Sequence, residues 1–408
     1  MSSDIIQFVD EHQQAQIGFL KSLIKVPSDN PPGDCAPHGA RAAELLTSLG
    51  FEVERHRVPD ALCQANGMIS AMNLIVRRRY GDGPVIALNA HGDVVAPGAG
   101  WSVDPYAGVE KDGFIYGRGA AVSKSDFATY AFAVLALEQV SKPASGSIEL
   151  HFTYDEEVGG KIGPKWILDE GLSNPDYAVS AGFTYNVVTA HNGCLHLELV
   201  VRGKSAHAAK PETGCDALEA TAAILTAIYD SRKSLLEICS DIPGIGTPKI
   251  NVGLIQGGIN TTVVPDCIRM RVDRRLIPEE DPVVVEDQLH KIIKKSVLDR
   301  RGITVDIQRI MLAEPFMPVG NARYLADVFS RHASRTIGEV VSLVGVPIFT
   351  DARHYAAAGI PTILFGAGPR SIEEANSHRA DERVQIDDLR HATVIVASAL
   401  SELLVSET

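Results

Sequence analysis

Four short apolar runs constrain the fold more than any other feature of this sequence. Phe51–His56, Asn73–Arg78, Val85–Ala90 and Ser147–Tyr154 read as strands, and two of the runs are nearly continuously apolar. That pattern belongs to strands covered on both faces, as in a sheet between helices. Helical spacing surrounds them. Residues 4–25 place Ile5, Phe8, Val9, Ile17, Leu20, Leu23 and Ile24 on one face, a second helix is expected near 37–49, and a third over Lys124–Val140. The turn cluster Ser28-Asp-Asn-Pro-Pro-Gly33 separates the first two. The order predicts an α/β domain.

The texture changes at Gly193. Cys194–Arg202, Lys249–Ile255, Ile268–Arg274 and Ile303–Ile310 read as strands, and Asp216–Leu236 and Pro282–Leu298 as helices. That βαββαβ order is a ferredoxin-like split unit over 193–310. The α/β texture then resumes, with a helix near 320–333, a strand at Thr362–Phe365 and a helix near 387–404. The expected layout is a discontinuous α/β domain, 1–192 and 311–408, with an α+β domain, 193–310, inserted into it. A chain of 408 residues exceeds one ordinary core, so two domains are the default in any case.

Composition narrows the function by exclusion. A formal net charge of −13 repels nucleic acid and anionic membrane, so neither is expected as a partner. The six cysteines are scattered and form no C-x-x-C pair, which fits a reducing, cytoplasmic location. The first twenty residues carry Asp4, Asp10 and Glu11 inside their apolar pattern and read as an amphipathic helix, not a signal peptide. No run of about 18 apolar residues suggests a membrane span.

Three polar clusters follow expected strands or glycine turns, where open α/β sheets bind ligands. His91-Gly-Asp93 leaves the run Val85–Ala90. A histidine there can bind metal, and an Asp two residues on can fix its ring; a hydrogen-bonded turn is the plainer alternative. Asp155-Glu156-Glu157-Val-Gly-Gly160 leaves Ser147–Tyr154. Three adjacent carboxylates repel one another and are easier to explain beside a cation, although a solvated acidic turn would look the same. Asn376-Ser-His378-Arg-Ala-Asp-Glu382 follows the turn Gly366-Ala-Gly-Pro369. Together they supply two His and several carboxylates, the ligand set of a zinc or manganese site.

These motifs, in this order, resemble the metallohydrolase family of aminoacylase, acetylornithine deacetylase, succinyl-diaminopimelate desuccinylase and glutamate carboxypeptidase. Further matches are Trp101-Ser-Val-Asp-Pro-Tyr106, Gly117-Arg-Gly-Ala120, Gly203-Lys-Ser-Ala-His207, Gly257-Gly-Ile-Asn260, Val264-Pro-Asp266, Asp273-Arg-Arg275 and Thr350-Asp-Ala-Arg353. The resemblance spans nearly the whole chain. It implies a zinc-peptidase-like catalytic domain with an inserted dimerisation or lid domain. It implies His91, Glu157 and His378 as metal ligands, Asp93 as the partner that orients His91, and Glu156 as general base. It further implies that His207 reaches a neighbouring subunit's site to stabilise the oxyanion. Asn260, Arg275 and Arg353 would bind a small carboxylated substrate. A homodimer or higher homo-oligomer follows from the role of His207.

Two positions depart from the family pattern. Val122 stands where an Asp normally bridges two metals, and Gly182 where an acidic ligand is usual. The expectation is therefore one divalent transition metal per chain, manganese or zinc, with Asp126, Ser123 or His191 as possible replacement ligands. The expected activity is hydrolysis of a C–N bond, with Glu156 activating a metal-bound water. Deamination of a nitroanthranilate-type aromatic amine is the alternative reaction, and a metal-depleted binding protein the alternative class.

Overall fold

A computed structural model describes residues 2–404 of the chain. It divides into two compact units, one formed by the chain up to Thr189, Pro318–Val344 and the segment from Thr350 on, the other by Ala190–Met317 with Gly345–Phe349.

The sheet that carries the candidate site has eight strands. In spatial order they are Val53–Arg57, Met72–Arg79, Ser147–Thr153, Val85–His91, Tyr177–Ser180, Thr362–Leu364, Asn186–His191 and Ser342–Val346. Val85–His91 runs parallel to Ser147–Thr153 on one side and to Tyr177–Ser180 on the other, and Thr362–Leu364 runs parallel to Tyr177–Ser180. The carboxyl ends of these four strands therefore share one edge. His91, Asp155, Gly182 and Gly366 all emerge there, which is why three clusters far apart in sequence can meet.

Both faces of this sheet are covered, as the apolar runs require. Ile86, Leu88 and Ala90 join the main core, while Ala87 packs on the other face with Ala178, Tyr355 and Ile360. The helices Ser2–Ile24, Lys124–Ser141, Ala322–Ile337 and Ile386–Leu403 pack together on the main-core side. Phe127, on the second of them, stacks on Phe152 of the sheet at 3.9 Å between ring centroids. Among the described residues no helix is long and apolar enough to cross a membrane.

The smaller unit is an antiparallel sheet ordered Lys249–Gly257, Cys267–Leu276, Gly193–Arg202, Thr304–Ala313, with the helices Ala217–Leu235 and Pro282–Ser296. This is the βαββαβ arrangement. Asp216 and Asp281 each cap a helix, accepting from the amides of Leu218 and Val283 at 2.8 Å, which satisfies donors that have no partner inside the helix. Leu195, Leu197, Leu199 and Val201 alternate onto the core face, against Ile224, Ile228, Leu289 and Ile293. The unit extends past the expected limits of 193–310. Its last strand pairs as far as Ala313 opposite Cys194, and Gly345–Phe349 returns to it. There the amide of Gly345 donates to the carbonyl of Pro243 at 2.8 Å.

Candidate metal centre

His91 ends its strand with the ring buried. Its Nδ1 lies 3.0 Å from the carbonyl of Asp93 and 3.3 Å from its carboxylate. That leaves Nε2 facing the acidic turn, 3.9 Å from Glu156 Oε2. Asp93 is fully buried and holds the turn as well: its two oxygens accept from the amides of Glu156 and Glu157, both at 3.2 Å, and Oδ2 also accepts from Asn30 Nδ2 at 2.9 Å. One carboxylate thus sets the ring and the turn together, as an outer-shell partner of a metal ligand does.

Glu156 and Glu157 lie in a single 3-10 turn, Glu156–Val158. Gly159 and Gly160 reverse the chain directly after it, with φ of 118° and 65°. A Cβ at Gly160 would collide with Asp351 and His354, so that glycine is needed for space as well as for backbone freedom. Glu157 Oε1 lies 3.3 Å from His378 Nε2. His378 holds φ at 61°, and Asn376 and Asp381 in the same loop are also left-handed, a conformation uncommon outside glycine. Donor atoms of His91, Glu156 and Glu157 all fall within 4.8 Å of one another.

The electrostatics call for a cation. Burial pushes the Glu156 carboxyl up to about 8; the charge of His91 opposes this and those of Glu157 and Asp93 reinforce it. Burial likewise lifts Asp351 to about 8, aided by Glu156, and raises Asp155 well above the carboxylate range, aided by Asp351. Burial alone would lower His91, but Glu156, Asp93 and Glu157 outweigh it and raise the ring well above its ordinary value. Glu157 raises His378 in the same way. Oxygens of Asp126, Asp155 and Asp351 are buried without a hydrogen bond. Two imidazoles beside adjacent carboxylates are a donor set that fits a divalent transition metal.

The remaining expected residues are placed as follows. Arg353 is buried, and its guanidinium donates to the carbonyls of Thr350, at 2.9 Å, and Gly159. It braces the turn that carries Glu156. In the smaller unit His207 and Asn260 are exposed on neighbouring segments joined by the bridge between His207 and Val263. Arg275 Nε donates to both oxygens of Asp273 at 3.0 and 3.2 Å.

Of the possible replacement ligands, Ser123 is tied to the backbone of His91, accepting from its amide and donating to its carbonyl at 3.0 Å each. His191 lies in the smaller unit, with Nδ1 on the carbonyl of Asn192. Asp126 accepts from the amide of Ala367 at 2.6 Å and faces the amide of Gly182. Gly182 itself has no room for a side chain, because a Cβ would come within 2.7 Å of the Phe365 amide nitrogen.

Three contributors were given no role of their own by sequence reasoning. Asn30 was visible only as part of a turn, Asp351 only as a neighbour of Arg353. Glu382, buried, pairs with Arg118 and accepts from the amides of Ala121 and Val122 at 3.1 and 3.3 Å. It closes the loop at the position where the bridging Asp is absent.

Residues 87–402 match the peptidase family M20/M25/M40. The chain belongs to this family. It is similar to an acetylornithine deacetylase of Myxococcus xanthus, 30% identical over 367 residues, covering 88% of this chain and 90% of the relative. A succinyl-diaminopimelate desuccinylase of a Nitratiruptor species is 27% identical over 323 residues, 77% of this chain and 84% of the relative. The fold is that of the di-peptidase Dug1p of Saccharomyces cerevisiae, with a TM-score of 0.82 at 13% identity over 100% and 99% of the two chains. Family membership makes the protein a metal-dependent hydrolase acting on C–N bonds, with a catalytic domain and an inserted dimerisation domain.

Proposed function

We propose that the protein hydrolyses the amide bond of a small, carboxylated N-acyl substrate, with Glu156 as general base. The observation that carries this reading is the convergence of His91, Glu156 and Glu157 donor atoms within 4.8 Å. His91, Glu157 and His378 would hold one manganese or zinc ion. When bound, such an ion supplies a water acidic enough to lose its proton near neutrality and a positive pole for the scissile carbonyl.

Glu156 takes the proton from the attacking water at its carboxylate and passes it to the leaving nitrogen. Asp93 keeps the His91 ring turned with Nε2 outward. His207 accepts the amide of Ala209 at Nδ1 at 3.0 Å, so a neutral ring carries its proton on Nε2, the atom free to donate to an oxyanion. Asn260 and Arg275 are retained as substrate-side residues on the strength of the family resemblance. We further place the protein in the reducing cytoplasm as a homodimer or higher homo-oligomer.

A Glu156→Gln variant is expected to lose about 10²–10⁴-fold in kcat while keeping its metal, measured as release of free amine from N-acetyl and N-succinyl amino acids. Full turnover in that variant would remove Glu156 from its role. The crowding around Gly182, which denies the usual acidic ligand, favours water attack on an activated aromatic carbon as a second reading. Ammonia release from a nitroanthranilate, without activity on N-acyl amino acids, would put that reaction in place of amide cleavage.

A further inference from the structure

The smaller unit contains a second convergent set of metal-ligating side chains. Cys194 and His196 are two residues apart on the strand Gly193–Arg202, so they share the face turned away from the core leucines Leu195 and Leu197. On the neighbouring strand Asp273 pairs directly with His196, and Arg275 with Cys194. Cys194 Sγ lies 3.1 Å from His196 Nε2 and 3.5 Å from Asp273 Oδ1. His196 Nε2 lies 3.6 Å from the same Asp273 oxygen. The three donor atoms form a nearly equilateral triangle.

A Cys, a His and an Asp in contact invite comparison with a nucleophile and its relay. The atoms argue against it. A relay threads the ring between its partners, one on each nitrogen; here the single atom Nε2 faces both the sulfur and the carboxylate. The geometry is instead that of three ligands around a common point. Around a tetrahedral ion with bonds of ~2.3 Å to sulfur and ~2.0–2.1 Å to nitrogen or oxygen, donor atoms stand about 3.3–3.6 Å apart. The observed separations need adjustments of a few tenths of an ångström.

We propose that Cys194, His196 and Asp273 form a metal site for a thiophilic divalent ion of the zinc type, separate from the centre at His91. The thiolate selects against magnesium and calcium, and the mixed sulfur, nitrogen and oxygen set suits zinc or cobalt. Binding forms a metal–sulfur bond and releases the thiol proton to solvent. Arg275, bonded to both oxygens of Asp273, fixes the carboxylate from outside. Its charge also opposes the ion, so the site binds more weakly than a closed centre of four protein ligands. The side chains of His196 and Asp273 are about one-third exposed, 34% and 33%, which leaves solvent access for a fourth ligand, a water or an incoming anion.

Cobalt distinguishes this site from the first by its spectrum, because only a thiolate ligand gives an intense near-ultraviolet charge-transfer band and the centre at His91 has none. Metal-free full-length protein, kept reduced with a phosphine, is titrated with cobalt(II) chloride. The band should grow to saturation by two equivalents per chain, one for each centre, persist in His378→Ala, and persist in Cys239→Ser, which removes an exposed thiol elsewhere. It should vanish in Cys194→Ser, and in His196→Gln its midpoint should move roughly tenfold or more to higher cobalt. No band in the parent protein, or a band that survives Cys194→Ser, overturns the proposal. Should Cys194→Ser fail to fold, an unchanged midpoint in the partly exposed His196→Gln variant overturns it equally.

Discussion

At the scale of single residues, Asp93 is the side chain on which most of the catalytic geometry rests. It faces His91 Nδ1 and accepts from the amides of Glu156 and Glu157, so removing it frees the ring and the turn at once. Asp93→Ala is expected to weaken metal binding about 10–100-fold, read by competition with a chromophoric chelator, while Asp93→Asn should recover part of the loss. Unchanged affinity in the alanine variant would mean that the turn holds itself. The motifs that carry His91, Glu156, Glu157 and His378 were legible because each is short and sits at a strand end or after a glycine turn. The bonds of Arg353 to the carbonyls of Thr350 and Gly159 were not, since a sequence cannot show whether a guanidinium faces solvent or a backbone carbonyl. Asn30 was hidden for a related reason: its contact with Asp93 joins residues 63 apart.

At the scale of elements, the long strands and helices were legible from period and punctuation. The central strand Tyr177–Ser180 was missed. It has four residues, too few to show a period, and it exists because it is paired in parallel on both sides. The three-residue strands Val109–Lys111, Phe114–Tyr116 and Arg383–Gln385 were missed for the same reason. The final helix, Ile386–Leu403, carries a testable strain in its first turn. Burial pushes Asp388 up to about 6, although Tyr185 donates to it at 2.5 Å. A carboxyl raised in the folded state stabilises the fold while protonated, and that contribution fades as pH rises from about 4 through 6. Asp388→Asn should therefore stabilise the protein by about 1–2 kcal/mol at pH 7.5 and by little at pH 4. Urea unfolding at the two pH values measures this, and equal effects at both would refute the assignment.

At the scale of the whole molecule, two separate cores imply two separately reported stabilities. Both tryptophans, Trp101 and Trp166, belong to the larger unit, whereas far-ultraviolet circular dichroism follows both. The two probes are expected to give non-coincident urea transitions, which a single cooperative unit would not; superimposable curves would show that the units unfold as one. The insertion also has a consequence for how the chain is made. Tyr177–Ser180 is paired by Thr362–Leu364, which leaves the ribosome about 180 residues and roughly 10–35 s later at ordinary elongation rates. Until then the nascent sheet presents an open edge of backbone donors and acceptors, a template for wrong pairing. The main run of the smaller unit, Ala190–Met317, is finished during that wait. Synthesis of this enzyme thus contains an interval in which the inserted domain can be complete while the domain that does the chemistry is half built, and that interval is where a chaperone would be of most use.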